Sequence, residues 1–285
     1  MIALYLFVFG CIIGSFLNVL ILRYRPGETL FGRQLLGRSH CPKCHKTLTW
    51  YELVPVLSFI IQFGKCRSCK ERISIQYPIV ELISGLIFLI IPIIFNYSFY
   101  SILWVIAFLL LLVITVIDIK HYVIPDSANI ILGVLGAINT FVIWKGYVGF
   151  DDISRGSFLK SYALIFQFGD IFANPLFSHV LGAVVISGFF ASLILVSRGR
   201  AMGWGDVKFG FALGLLFGWP DAIMILMLSY IFGSLISVPL LLQRKKKMKD
   251  EIPFGPFLVL ASSTVFFFGY PIIKNYFDFI GRFFM

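Results

Sequence analysis

Charge is what this chain has least of. Asp, Glu, Lys and Arg together make up 13% of its 285 residues, and only 14 of them are acidic. A soluble domain carries about a quarter of its residues as charges, so an ordinary soluble fold is excluded. The first apolar run has no basic segment ahead of it and its positive charge follows it, which speaks for an uncleaved anchor and against a signal peptide. No internal repeat is visible along the chain. The net charge of +10 needs no nucleic acid to explain it, because its distribution tracks membrane topology.

What fills the space is apolar. Hydrophobic residues reach 59% and the mean hydropathy is +0.93, the composition of an all-α polytopic membrane protein. Eight stretches are candidate transmembrane helices: about 1–22, 78–96, 101–117, 128–145, 176–197, 205–219, 221–243 and 254–273. The sixth is the weakest, since Trp219-Pro220-Asp221 cuts it off. With the N-terminus outside, nineteen Lys and Arg fall inside against five outside, so the positive-inside rule places both termini outside. Arg244–Lys249 then reads as a stop-transfer flank or an anionic-lipid contact. The segment 146–174 lies outside and carries no recognisable chemistry. Residues 23–77 form a small cytoplasmic insertion, and within it Trp50–Phe63 is apolar but too short to span, as an interfacial or re-entrant helix would be.

That insertion holds four of the five cysteines, as Cys41-Pro42-Lys43-Cys44 and Cys66-Arg67-Ser68-Cys69. Two C-x-x-C pairs are the spacing of two zinc knuckles sharing one tetrahedral thiolate site. On the reducing side of the membrane structural disulfides are not expected. A fifty-residue insertion also needs such a staple to fold. His45 and Lys70 stand where knuckles often carry glycine. Cys11, in an apolar helix, is a packing residue.

Two aspartates sit where hydrocarbon meets water. Asp118 closes the run 101–117, and Asp206 lies in Gly203-Trp204-Gly205-Asp206 at the start of another. A carboxylate there is costly unless paired, protonated or wetted, which makes both functional candidates. Both fall at the cytoplasmic ends of their helices, so they can face each other and share one proton. Asp206, Gly210, Gly214 and Gly218 recur at four-residue spacing, as do Gly10, Gly14 and Asn18 on the first helix. Each small-residue seam lets a partner helix approach closely. Between Asp118 and Pro125 the chain turns and re-enters, with Asp126 or Ser127 available to cap the next helix. Lys120 and His121 belong to the surface of that turn. Glu81, a third intramembrane acid, either pairs with Arg23 or Arg72 or borders a cavity.

These blocks in this order resemble the type IV prepilin leader peptidases, which are bifunctional peptidase/N-methyltransferases. The resemblance is carried by Gly14-Ser15-Phe16-Leu17-Asn18-Val19 with Arg23, by the two cysteine pairs flanking Trp50-Tyr51-Glu52-Leu53-Val54-Pro55, and by Tyr77-Pro78-Ile79-Val80-Glu81-Leu82. It continues through Asp118–Asp126, Met202-Gly203-Trp204-Gly205-Asp206-Val207-Lys208 and Ile252-Pro253-Phe254-Gly255-Pro256-Phe257. The block at Asp206 is the signature of GxGD intramembrane aspartyl proteases; Trp204 fills its variable position, and Ala201 stands where a glycine is common.

The resemblance implies a bacterial inner-membrane enzyme that cleaves the basic leader of a type IV prepilin or pseudopilin after its Gly. It then methylates the new N-terminus with S-adenosylmethionine. Asp118 and Asp206 are the implied catalytic pair, and structural Zn2+ sits on Cys41, Cys44, Cys66 and Cys69. The implied domains are a first transmembrane helix over 1–22, a methyltransferase-associated zinc domain over 23–77 and the membrane peptidase over 78–285. No Rossmann-type glycine fingerprint is present, so methylation does not use a soluble-methyltransferase fold. Gly64, just before the second cysteine pair, is implicated in methylation by the resemblance. Asn18, Arg23, Glu81 and Lys120 are candidates for the methyl-donor cavity by position. A peptidase without methylation, or a proton-coupled transporter using the same acids, are the competing readings. The intact four-cysteine domain argues against the first, and the absence of a repeat argues against the second.

Overall fold

A computed structural model describes residues 1–32, 37–146, 174–200, 202–243 and 252–284. Its helices are α1 (Ile2–Arg23), the short α2 (Leu57–Ile61), α3 (Gln76–Ile94), α4 (Tyr100–His121), α5 (Asp126–Trp144), α6 (Pro175–Ser197), α7 (Trp204–Phe217), α8 (Asp221–Leu242) and α9 (Gly255–Phe284). Among the described residues there is no strand, only two isolated antiparallel bridges, His40 with Thr47 and Lys65 with Arg72. The segment 147–173, within the loop read as external, and the basic run 244–249 lie outside the described residues. The chain forms two compact units, Met1–Val113 and Ile114–Met285.

Among the described residues six helices are long and apolar enough to cross a bilayer: α1, α3, α4, α5, α6 and α8. The expectation of about eight spans meets one clear exception, α7. α7 has 14 residues, about 21 Å at 1.5 Å per residue, short of the ~30 Å hydrocarbon layer. α9 is 30 residues long, and its described apolar stretch begins at Gly255.

In the first unit α1 packs on α3 along the Gly10-Gly14-Asn18 seam. A Cβ on Gly14 would lie 2.7 Å from the Glu81 Cα and 2.8 Å from the Ser84 Cβ, so the two backbones touch there and no larger residue fits. One turn on, Asn18 donates Nδ2–H to the Tyr77 carbonyl at 3.1 Å. Cys11 is buried against Gly85 on the same interface.

In the second unit the α7 seam faces α6. Gly210 packs on Ile186 and Phe190, and Gly214 on Ala183 and Gly182. α7 ends at Gly218, whose φ of +76° suits glycine, and there its carbonyls would be orphaned in a waterless layer. Neighbouring side chains satisfy them. His179 Nδ1 donates to Leu215 O at 2.7 Å, Asn139 Nδ2 to Leu216 O at 2.9 Å and Ser178 Oγ to Trp219 O at 2.8 Å. A helix too short to span is therefore finished by α5 and α6.

Candidate active site and metal centre

α4 stops three residues after Asp118. Tyr122 takes a left-handed φ of 55° and returns its N–H to the Asp118 carbonyl at 2.9 Å, the usual αL closure of a helix. Pro125 then precedes α5, so the chain reverses within four residues. α5 has no side-chain cap, which overturns the capping role expected of Asp126 or Ser127. Asp126 instead accepts from Lys208 Nζ at 2.8 Å, tying the start of α5 to the first turns of α7. Ile124 packs 3.6 Å from where a Cβ on Gly205 would be.

The Asp118 carboxylate is buried. Its Oδ2 accepts the backbone N–H of Gly255 at 3.0 Å. Gly255 opens α9, so the carboxylate rests on the positive end of a helix. Asp206 is the third residue of α7, half-buried, with its own N–H on Gly203 O at 3.2 Å. Asp206 lies within electrostatic reach of Asp118 and of Tyr230. Tyr230, Phe254 and Phe190 form an aromatic wall, with Phe254 centred 5.2 Å from Tyr230 and 5.8 Å from Phe190. This arrangement supplies two acids within electrostatic reach, a fixed backbone donor on one of them and an apolar surround.

Two features went unread in the sequence. The Pro253-Phe254-Gly255-Pro256 block carried no assigned role, although its Gly255 holds Asp118. Asp221, fully buried at the start of α8, was seen only as part of the Trp219-Pro220 turn.

The four cysteines of the insertion do converge. The sulfurs of Cys41, Cys44, Cys66 and Cys69 all lie within 4.8 Å of one another, and Cys41 and Cys69 are 3.9 Å apart. A tetrahedron with Zn–S of about 2.3 Å needs sulfurs roughly 3.8 Å apart, so the donors fit zinc. The two knuckles repeat one pattern. Cys41 N–H bonds Lys46 O at 3.0 Å and His45 N–H bonds Cys41 O at 2.9 Å. In the second, Cys66 N–H bonds Glu71 O at 2.9 Å and Lys70 N–H bonds Cys66 O at 3.0 Å. His45 and Lys70 adopt the left-handed φ values of 56° and 59° that glycine would take without cost. The N–H groups of Cys69 and then Ser68, aimed at the Cys66 sulfur, bring its thiol down to about 7, which favours the thiolate that metal needs.

The remaining candidates are spread out. Asn18 and Glu81 share the α1–α3 interface. Glu81 is held not by Arg23 or Arg72 but by the Val56 N–H at 2.7 Å and the Ser15 hydroxyl. Asn18 Oδ1 is buried and finds no partner among the described residues. Arg23 reaches the carbonyls of Gly37 and Arg38 at 3.3 and 3.2 Å. Gly64, at φ +65°, turns the chain from α2 into the second knuckle; a Cβ there would meet the Phe59 ring at 3.0 Å. Lys120 is exposed on the last turn of α4, in the second unit.

Comparison with known proteins agrees with this geometry. The family profile described as Bacterial Peptidase A24 N-terminal domain matches residues 8–95, and that of the Type IV leader peptidase family matches residues 105–238. A curated relative from Bacillus subtilis (strain 168), named prepilin leader peptidase/N-methyltransferase, is 30% identical over 271 residues, covering 95% of this chain and 96% of its own. Relatives of the same name from Aeromonas salmonicida and Pseudomonas aeruginosa are 28% and 26% identical, each over 95% of this chain and 92% of theirs. No solved structure matches.

Proposed function

This chain belongs to the type IV leader peptidase family, and we propose that Asp118 and Asp206 are the catalytic pair with which it acts. Its activity is that of a multi-pass bacterial inner-membrane enzyme that cleaves type IV prepilin leaders and N-methylates the new end. The bond that is cut lies at the cytoplasmic face, and both termini of the chain are outside. The observation that carries the reading is that Asp206, at the start of α7, lies within electrostatic reach of Asp118, at the end of α4, whose carboxylate is held by the N-terminus of α9.

In the proposed mechanism one ionised aspartate takes a proton from water as its oxygen attacks the scissile carbonyl. The partner, protonated, donates to the developing oxyanion. The tetrahedral intermediate then collapses, the C–N bond breaks, and the proton taken from water passes to the leaving amine. The pair titrates as one unit, so neither role is tied to one residue. With Oδ2 of Asp118 engaged by Gly255, Oδ1 is the oxygen left for water or substrate. The aromatic wall keeps bulk water out and accepts the apolar stretch of a pilin-like precursor.

Methyl transfer is assigned to the zinc domain, residues 23–77, and the peptidase to 78–285, with α1 as an anchor. Cys41, Cys44, Cys66 and Cys69 hold structural zinc, which folds the insertion. S-adenosylmethionine supplies the methyl group as co-substrate. Gly64, Asn18, Arg23, Glu81 and Lys120 are the candidates for binding it, and the buried Oδ1 of Asn18, without a partner among the described residues, is an acceptor that a ligand could use.

The test is to assay Asp118→Asn and Asp206→Asn separately, in membranes and with a candidate pilin, reading its N-terminus by mass spectrometry. Each substitution removes cleavage while the protein still inserts. Normal processing by either folded variant would sink the two-aspartate assignment.

A further inference from the structure

Within the insertion, α2 and the turn after it expose apolar side chains that the described residues leave uncovered. Leu57, Ile60, Ile61 and Phe63 are 57, 60, 64 and 88% exposed. A contiguous apolar patch of this kind outside a span marks an interaction surface. Its depth is set by one hydrogen bond. The Val56 N–H, at the head of α2, donates to Glu81 Oε2 at 2.7 Å. Glu81 is the sixth residue of α3, about 7.5 Å along the helix from its first. The head of α2 is thus held beside the entry of a spanning helix, where Ile79, Leu82 and Ile83 also face outward.

That bond comes from a strained turn. Val56 has φ 61° and ψ −51°, and Leu57 donates its N–H to Pro55 O at 2.6 Å. This is a γ-turn of the rare hand in a β-branched residue, a conformation kept only where its surroundings impose it. What the turn achieves is to aim the Val56 N–H at the buried carboxylate. The surrounding charge points to the partner. From Cys41 to Arg72 there are six Lys and Arg against two Glu. One of those, Glu52, is taken up by Thr49, whose N–H and hydroxyl lie 2.9 and 2.7 Å from its Oε2.

We propose that residues 57–63 are a wedge inserted in the adjoining lipid leaflet, pinned at fixed depth by Glu81 on Val56, with the basic knuckles on anionic headgroups. An apolar face flanked by cations binds an anionic bilayer through both terms at once. The wedge fixes where the zinc domain sits against the membrane, and its readout requires no enzymatic activity.

The experiment uses the whole protein in nanodiscs containing phosphatidylglycerol brominated along its acyl chains. An environment-sensitive fluorescent amino acid is encoded at Phe63 or, as a control, at Lys43. The probe at 63 is quenched by the bromines and shielded from iodide, and the probe at 43 behaves the opposite way. In brominated phosphatidylcholine the quenching at 63 is weaker. Glu81→Leu reduces it to the level of the control, whereas Glu81→Gln, which still offers an acceptor to the Val56 N–H, retains it. Zinc content measured in parallel shows that the variants are folded. Iodide quenching at 63 equal to that at 43 would overturn the wedge. So would shielding of 63 from both quenchers, which would mean that protein covers the patch. Equal bromine quenching in neutral and anionic nanodiscs would remove the headgroup contact.

Discussion

Gly255 leaves room for one acceptor and nothing else. A Cβ added there would lie 2.6 Å from Asp118 Oδ2, so Gly255→Ala must push the carboxylate off the N–H that holds it. Losing a hydrogen bond to a charged acceptor is worth about 2 kcal/mol, so kcat/KM for precursor cleavage should fall roughly thirtyfold with insertion unchanged. Wild-type kinetics in Gly255→Ala would show that this contact is irrelevant to catalysis. The knuckles give a test of the opposite sign. His45 and Lys70 occupy left-handed conformations that cost a side-chain-bearing residue about 1 kcal/mol. Lys70→Gly should therefore leave zinc affinity intact or raise it, while Lys70→Val should weaken it, as read by competition with a chelator.

α7 shows why an element can depend on its neighbours' side chains. Its 14 residues end inside the second unit, where Asn139 and His179 answer for its last carbonyls and Ser178 for that of Trp219 just beyond. Asn139→Leu keeps the volume and removes the donor to Leu216 O. We expect a loss of about 1–2 kcal/mol, seen as earlier thermal unfolding in detergent, together with reduced cleavage because Asp206 rides on this helix. An unchanged melting curve would mean that the carbonyl finds another donor. At the other short element, Gly64 closes α2 with a φ that disfavours a Cβ and with Phe59 3.0 Å from where one would be. Gly64→Val should disturb the hairpin leading to Cys66 and lower zinc retention; a variant with full zinc would make the role of Gly64 purely one of methylation.

For the molecule as a whole, zinc and the aspartates stand on separate parts of the chain. Cys66→Ser with Cys69→Ser should unfold the insertion in an all-or-none manner and abolish methyl incorporation from labelled S-adenosylmethionine while leader removal persists. Methylation at the wild-type level with cleavage gone would assign the zinc domain to the peptidase instead. The sequence by itself determined the membrane class and the glycine seams, singled out Asp118 and Asp206, and set the spacing of the four thiols that converge. Each of these rests on composition or on a local spacing, since a period of four residues defines a helix face and C-x-x-C defines a knuckle wherever the rest of the chain goes. Tertiary structure alone decided that the sixth apolar run stops at 14 residues, its last carbonyls taken up by donors from α5 and α6. It also decided that Gly255 holds Asp118, 137 residues away, and that Glu81 serves the Val56 N–H and Ser15 instead of an arginine. Backbone donors carry no residue identity and such partners lie far off in the chain, so no sequence pattern could announce them.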